Sequence, residues 1–430
     1  MLEKRNPIAV GEAVQRVMEF AFQEKTEFIS LQQAHGRFLA EDVAADADVP
    51  AFNRSPYDGY AIRAVDSQEA STENPVTFKV VGEIGAGFLY EEELGSKEAV
   101  RIMTGAPIPK GCDAVVMLEL TKTFEEKNQL YMSIKRCFEA GTNISYRGED
   151  VQKGEILLKK GQYINPGVVA LLATFGYDQV PVFRKPTVGV IATGSELLEP
   201  GESLHPGKIR NSNAYMIMAQ IERAGASVKY YGKFSDDLDV CIDVVKKALQ
   251  EVDLLITTGG VSVGDYDYLP AIYEAIDAKV LFNKVAMRPG SVTTVATRVG
   301  KVLFGLSGNP SACYVGFELF VRPVIRTAFG SKKPHLRKLQ AILGADFKKA
   351  NPFTRFVRAV ASYDKGQLVA VPSGFDKSSA VSSLANANAF IVLPGGSRGY
   401  ETGMKVDLLL LEDLQGSEWP WNNIVKSYKS

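Results

Sequence analysis

Glycine, hydroxyl and carboxylate residues are concentrated in the run Thr257-Thr258-Gly259-Gly260-Val261-Ser262-Val263-Gly264-Asp265-Tyr266-Asp267, a composition suited to holding an anion. Glycines let backbone amides approach an oxyanion and take positive φ, and a helix starting just afterwards adds its partly positive N-terminus. The aspartates point elsewhere, because a carboxylate beside a phosphate repels it unless a divalent cation lies between them. An ordinary strand-to-helix turn has the same local grammar, and the run by itself leaves that reading open.

Related loops recur along the middle of the chain. Thr193-Gly194-Ser195-Glu196, Phe234-Ser235-Asp236-Asp237 and Ser307-Gly308-Asn309-Pro310 each follow an apolar, strand-like stretch, as does the run above, which is preceded by Leu254-Leu255-Ile256. In open α/β sheets ligands sit past the carboxyl ends of the strands, where strand order reverses, so coincident loops of this kind favour one cleft. Thr193, Gly194, Ser195, Thr258, Gly259, Gly260, Ser262, Gly264, Ser307, Gly308 and Asn309 would supply amides and hydroxyls for an oxyanion, with Pro310 closing the last of these loops. Three or four carboxylates of these loops would serve a divalent cation, and Lys284 with Arg288 would meet further negative charge. The plainer readings are helix capping for Asp236 and Asp237, and solvated surface bases for Lys284 and Arg288.

The elements that must position these loops read as alternating strand and helix from about Pro181 to Phe329, the signature of a mostly parallel sheet with crossover helices. Strands are expected at Thr187 to Ala192, Val228 to Gly232, Leu254 onward, Val280 onward and Val302 to Gly305. Between them lie a helix capped by Ser212 or Asn213 and stopped near Gly225, and one burying Leu238, Cys241, Ile242, Val245 and Leu249. A long helix follows from Ser311 toward Phe329. Before this region, residues 7 to 25 read as a helix with Asn6 as cap and Pro7 in its first turn. Extended stretches at Val76 to Val81, Ala99 to Met103, Ala114 to Leu118 and Leu130 to Ile134 suggest a small β-rich domain. Its loops include Asn53 to Ala61 with Asp58, Met103 to Pro109 with Thr104, and Arg147-Gly148-Glu149-Asp150; each alone passes as a turn. After a polar joint at Gly330 to Pro334, alternation returns at Phe356 to Ala361, Leu368 to Val371, Phe390 to Leu393 and Val406 to Leu411, as in a small barrel or sandwich. The tail beyond Glu412 carries no readable pattern.

At 430 residues the chain is longer than one core, which fits a multidomain protein. A net charge of -1 disfavours a coat for nucleic acid, and no apolar run is long enough to span a bilayer. The N-terminus lacks the apolar core of a signal peptide, so a cytoplasmic location is expected. Cys112, Cys137, Cys241 and Cys313 form no Cys-x-x-Cys pair and read as reduced core residues, while His35, His205 and His335 have no zinc-ligand spacing. The usual mononucleotide and dinucleotide glycine fingerprints are absent.

Taken together, Ser55-Pro56-Tyr57-Asp58-Gly59-Tyr60-Ala61, Met103-Thr104-Gly105-Ala106-Pro107, Arg147-Gly148-Glu149-Asp150, Thr193-Gly194-Ser195-Glu196-Leu197, Gly259 to Gly264 with Asp267, and Ser307-Gly308-Asn309-Pro310 closely resemble the molybdopterin molybdenumtransferases, the family of MoeA and the gephyrin E domain. The resemblance covers nearly the whole chain. It implies a discontinuous helical domain (1–46 and 139–178), a β-rich domain (47–138), a molybdopterin-binding α/β domain (179–329), a C-terminal β-barrel (330–412) and a tail (413–430). It further implies a homodimer with a composite active site, and conversion of adenylyl-molybdopterin and molybdate to molybdenum cofactor and AMP with Mg2+. By this resemblance Glu196, Asp236 and Asp267 form the acidic, metal-holding cluster, and Lys284 and Arg288 face phosphate or molybdate. Asp58, Thr104 and Asp150 enter from the partner subunit, and substrate arrives from a molybdopterin adenylyltransferase. Adenylation of molybdopterin itself is the alternative enzyme reading, but it needs only the α/β domain; a gephyrin-like scaffold would call for further interaction segments. Where many relatives carry Lys-Pro-Gly-Lys-Pro, this chain has Arg288-Pro289-Gly290-Ser291-Val292, and Ser145-Tyr146 stands where several carry arginine.

Overall fold

In the computed structural model, which describes residues 6–234, 237–259, 269–349, 352–412 and 416–422, three apolar, buried runs and one amphipathic edge run become parallel neighbours. Thr187–Thr193 lies between Ser227–Phe234 and Leu254–Thr258, and Lys301–Leu306 pairs with the far side of Leu254–Thr258. Thr294–Arg298 and Lys279–Phe282 extend the sheet antiparallel, giving six strands. Both faces are covered, as near-continuous apolar strands require. Leu254 and Ile256 pack with Ile217 and Ile221 of helix Ser212–Ala224, whereas Leu255 packs with Cys241, Val245 and Leu249 of helix Leu238–Glu251. Strand order therefore reverses between Thr187–Thr193 and Leu254–Thr258, where the two helices leave on opposite faces.

Local chemistry sets the helix ends. Asn211, rather than Ser212 or Asn213, caps helix Ser212–Ala224 by accepting from the Ala214 amide, and Gly225 closes it in the left-handed conformation. Asp237 caps the next helix through the Val240 amide, and Ala248 is buried there while Leu238 and Ile242 are only half-buried. The long helix expected from Ser311 is three segments, Pro310–Gly316, a wider π-helical turn at Phe317–Val321, and Arg322–Ala328. The buried Glu318 carboxylate lies in that turn and accepts from Gln220 Nε2 at 2.7 Å and from Arg223 Nη2 at 2.5 Å.

The N-terminal helix is shorter than the periodicity implies, Val10–Met18 rather than 7 to 25. Ile8 is held extended because its amide donates to the Lys284 carbonyl and its carbonyl accepts from Ala286, so neither Asn6 nor Pro7 opens the helix. At the other end Phe20, Ala21 and Phe22 pack on the core outside the helix, which tertiary burial favours over continued winding. Thr26–Ser30 then pairs with Gln179–Phe183.

The C-terminal strands His335–Leu343, Thr354–Asp364, Gln367–Pro372, Ala389–Leu393 and Lys405–Leu410 close on themselves. This ring is the expected small barrel, and closure leaves no edge exposed. Met287–Arg288 pairs with Thr354–Arg355, joining the α/β region to the barrel. The tail is not featureless: Gly416–Ser417 pairs with His335 and Leu336, and Trp419 and Trp421 pack edge-on against the His335 ring.

These regions belong to one unit, Met1–Glu41, Lys160–Ala170 and Asp178–Ser430; Asp42–Lys159 and Leu171–Tyr177 form the other. The second unit has a six-stranded sheet built from Gly59–Ile62, Val76–Ile84, Glu98–Ile102, Ala114–Met117, Thr121–Glu126 and Gln129–Ile134. Residues 139–178 hold one described helix, Pro166–Thr174. Cys241 and Cys313 are buried as expected, but Cys112 is only half-buried and Cys137 is exposed. No helix among the described residues is long and apolar enough to cross a membrane.

Candidate functional site

At the reversal of strand order, three strand ends meet over glycine. The Gly259 amide donates to the Leu306 carbonyl, and Gly259 has φ +94° with Thr193 so close that an added Cβ would fall 2.2 Å from its carbonyl oxygen. Gly308 abuts Gly259, and Gly194, at φ +148°, lies under the Glu196 carboxylate. The resulting cleft of about 70 Å³ is lined by Thr193, Glu196, Thr258, Gly259, Gly308 and Pro310, together with Arg210 and Asn213. One wall is a flap, Leu197–Leu198 paired with Ile209–Arg210, in which the Lys208 ammonium donates to the Ser195 carbonyl. Glu199 anchors the flap by accepting from the hydroxyls of Tyr215 at 2.7 Å and Tyr230 at 3.0 Å. Burial and that carboxylate push the Tyr230 phenol well above its ordinary value, so it stays a donor.

A second cleft, of about 430 Å³, opens where Met287–Arg288 joins the barrel. Among the described residues Arg288, Lys349, Arg355, Arg358 and Lys377 line it against a single carboxylate, Asp376. Arg358 is 1% exposed and donates to Asp376 Oδ1 at 3.1 Å, while Arg355 donates to Oδ2 at 2.8 Å. One carboxylate leaves this cluster strongly cationic, which suits an oxyanion. The first turn of helix Pro310–Gly316 separates the clefts: Pro310 lines the first, and the Ser311 amide and hydroxyl bind the Ser378 and Ala380 carbonyls in the loop lining the second.

In the other unit three distant loops converge on Arg54, which bridges to both Pro107 and Ser145. Ser55 exchanges backbone bonds with Gly105 and Ala106, and Arg147 donates its amide to Asn53. Asp58 Oδ1 accepts from the Thr104 amide at 2.6 Å and its hydroxyl at 2.8 Å. The amide and then the hydroxyl hold the Asp58 carboxyl below the usual carboxylate range. Asp150, exposed, is anchored by its amide to the Val49 carbonyl.

The structure thus brings Thr193, Glu196, Thr258, Gly259, Gly308 and Pro310 together, with Gly194, Ser195, Ser307 and Asn309 in the same loops. Arg288 belongs to the second cleft, and half-buried Lys284 lines neither cleft. Asp236, Gly260, Ser262, Gly264 and Asp267 lie outside the described residues. No group of three or more His, Cys, Asp or Glu residues suited to a metal occurs among the described residues, and Glu196 is the carboxylate that lines the first cleft among them. Sequence reasoning missed Asn213, Arg355, Arg358 and Asp376; a buried arginine inside Phe356-Val357-Arg358-Ala359-Val360 was a readable signal.

Comparison with known proteins gives three matching family models in chain order. They are the MoeA N-terminal region (domain I and II) over residues 8–176, a probable molybdopterin binding domain over 189–327, and the MoeA C-terminal region (domain IV) over 340–411. The chain is 62% identical over 429 residues to a molybdopterin molybdenumtransferase of Bacillus subtilis, covering 100% of both chains. It is 54% identical to one of Staphylococcus epidermidis over 96% of this chain and 97% of that protein. Among solved structures, a molybdopterin biosynthesis MoeA protein from Pyrococcus horikoshii matches at TM-score 0.81 and 31% identity, covering 95% of this chain and 100% of the other.

Proposed function

This chain belongs to the MoeA family of molybdopterin molybdenumtransferases, and from that premise we propose that it converts adenylyl-molybdopterin and molybdate to molybdenum-molybdopterin and AMP, in the cytoplasm. The observation that carries the reading is the pair of clefts flanking one helix turn. One is glycine-lined with a carboxylate, and the other is cationic.

Each cleft suits one reactant. The Gly308 amide suits the phosphates of the adenylylated substrate, and the absence of a side chain at Gly194 and Gly259 lets them approach the backbone. Arg288, Arg355 and Arg358 suit molybdate, a dianion that would otherwise be repelled by the pyrophosphate bridge. Glu196, with Asp236 and Asp267 as further ligands, would hold magnesium, whose charge when bound screens that repulsion. Lys284 would add long-range attraction rather than contact. Arg288 in place of lysine keeps the charge and adds a planar fork, while Ser291 leaves out the charge of the second lysine.

Asp58, Thr104 and Asp150 would act in a homodimer, each subunit completing its partner's site. The substrate would be handed over by an enzyme that adenylylates molybdopterin. The direct test mixes purified protein with adenylyl-molybdopterin, magnesium and molybdate and follows AMP by chromatography. AMP release that needs molybdate supports the reading; a folded protein that binds both substrates without releasing AMP refutes it. Mixing inactive Asp58→Asn and Glu196→Gln variants tests the shared site, since hybrid dimers would regain part of the activity and separate active sites would not.

A further inference from the structure

Asn211 and Asn213 sit two residues apart at the start of one helix and have been given different work. Asn211 is consumed locally: its oxygen caps the Ala214 amide and its Nδ2 donates to the Tyr230 hydroxyl at 2.8 Å. Asn213 is 7% exposed, and its Nδ2 donates to the Gly308 carbonyl at 2.8 Å, with Thr258 Oγ1 at 3.4 Å. The Gly308 carbonyl can only accept, so the orientation of the amide is fixed and Oδ1 is the remaining atom. Among the described residues that oxygen is buried without a partner, and the residue lines the first cleft.

A buried, unpartnered acceptor costs about 1–3 kcal/mol, and a ligand donor entering the cleft that Asn213 lines would recover it. The rest of the cleft favours an anion through the Gly308 amide, Arg210 and the helix N-terminus. A carbonyl oxygen repels an anion, so Oδ1 marks the place where the ligand changes from acceptor to donor. A cleft of about 70 Å³ admits one edge of a ring rather than a whole dinucleotide. We propose that Asn213 is a specificity-determining residue whose Oδ1 accepts a hydrogen bond from a ring-edge N–H of the substrate's heterocycle, with Gly308 and Thr258 holding the amide in place. The inference rests on the function proposed above; that substrate carries such N–H groups on its pterin and on its adenine, and the test distinguishes them.

The full-length protein is titrated with 6-hydroxymethylpterin, its N3-methyl analogue, AMP and inorganic pyrophosphate, for wild type and Asn213→Ala. Wild type should bind the N3-methyl analogue about tenfold or more weakly than the parent pterin, as follows from leaving one buried acceptor unpaired. Asn213→Ala should bind the two pterins alike and pyrophosphate as wild type does. A comparable loss confined to AMP in Asn213→Ala would assign the contact to adenine. The proposal is overturned if wild type binds neither heterocycle, if discrimination survives in Asn213→Ala, if the variant changes no affinity, or if pyrophosphate weakens as much as the heterocycles, which a merely structural role would produce. The wild-type comparison needs no variant to fold. Molybdate-dependent AMP release by wild type is scored separately, so loss of this inference and loss of the underlying function give different results.

Discussion

Gly259 and Thr193 approach so closely across adjacent strand ends that a Cβ on Gly259 would lie 2.2 Å from the Thr193 carbonyl oxygen, nearer than any side chain tolerates. The φ of +94° at Gly259 adds a conformational cost on the order of 1–3 kcal/mol for any other residue. Gly259→Ala should therefore lower the melting temperature and abolish pyrophosphate binding. Gly308→Ala is the control, because its Cβ would meet Gly259 Cα at an ordinary 3.6 Å. Calorimetry and titration of both variants decide the matter; equal effects would mean that the cleft tolerates a displaced strand end.

Asp58 is held ionised by the Thr104 amide first and its hydroxyl second. A carboxylate whose folded value lies below its unfolded value contributes stability that is present above about pH 4 and is lost as pH falls through the folded value. Thr104→Val removes the hydroxyl but keeps the amide, so the Asp58 value should rise part of the way toward that of a free aspartate. Carboxyl NMR titration measures it. A return all the way to the free value would show that the backbone bond is lost too.

What could be read from the residues alone was the chemistry that backbone geometry imposes. Gly259 announces itself because only glycine suits that turn, and apolar runs such as Leu254–Thr258 admit few alternatives to a buried parallel strand. Asn213 was not legible, because in Asn211-Ser212-Asn213 each residue is a good cap and only packing against Gly308 decides which is spared. The cationic cleft was half legible: Arg288 stands beside a Pro-Gly turn, but Arg355 and Arg358 reach it through a strand pairing between residues 287–288 and 354–355 that no local pattern encodes. The N-terminal helix was overread for a similar reason, since pairing of Ile8 with Val285 is a long-range event.

Arg358 and Asp376 set stability against binding in the second cleft. Burial lowers the Arg358 guanidinium from its ordinary value and Asp376 opposes that shift. Removing the carboxylate strands a buried cation, a change of about 3 kcal/mol or more. Asp376→Ala should thus unfold at lower temperature, yet bind molybdate more tightly once folded because the cleft has lost the one carboxylate that lines it among the described residues. Arg288→Ala should do the reverse, with stability nearly unchanged and molybdate affinity reduced. Thermal melts with and without molybdate separate the two; weaker binding by Asp376→Ala would show that Asp376 positions the arginines more than it offsets them.

His335 ties the tail to the barrel through a proton it does not carry. Burial, aided by Arg322, pushes its imidazole down to about 4, and its ring packs against Trp419 at 5.5 Å and Trp421 at 6.4 Å. A histidine whose folded value lies below its unfolded value of about 6.5 binds protons more readily when unfolded. Its contribution is therefore whole above about pH 6.5, declines as pH falls toward 4, and amounts to about 3 kcal/mol across that window. Trp419 and Trp421 are the only tryptophans in the chain, so their fluorescence reports this packing directly. Acidification from pH 7 to 4 should shift their emission to the red as the tail loosens, and His335→Phe, which keeps a ring but has nothing to protonate, should flatten the response. If the variant and wild type share one pH midpoint, another group governs the tail.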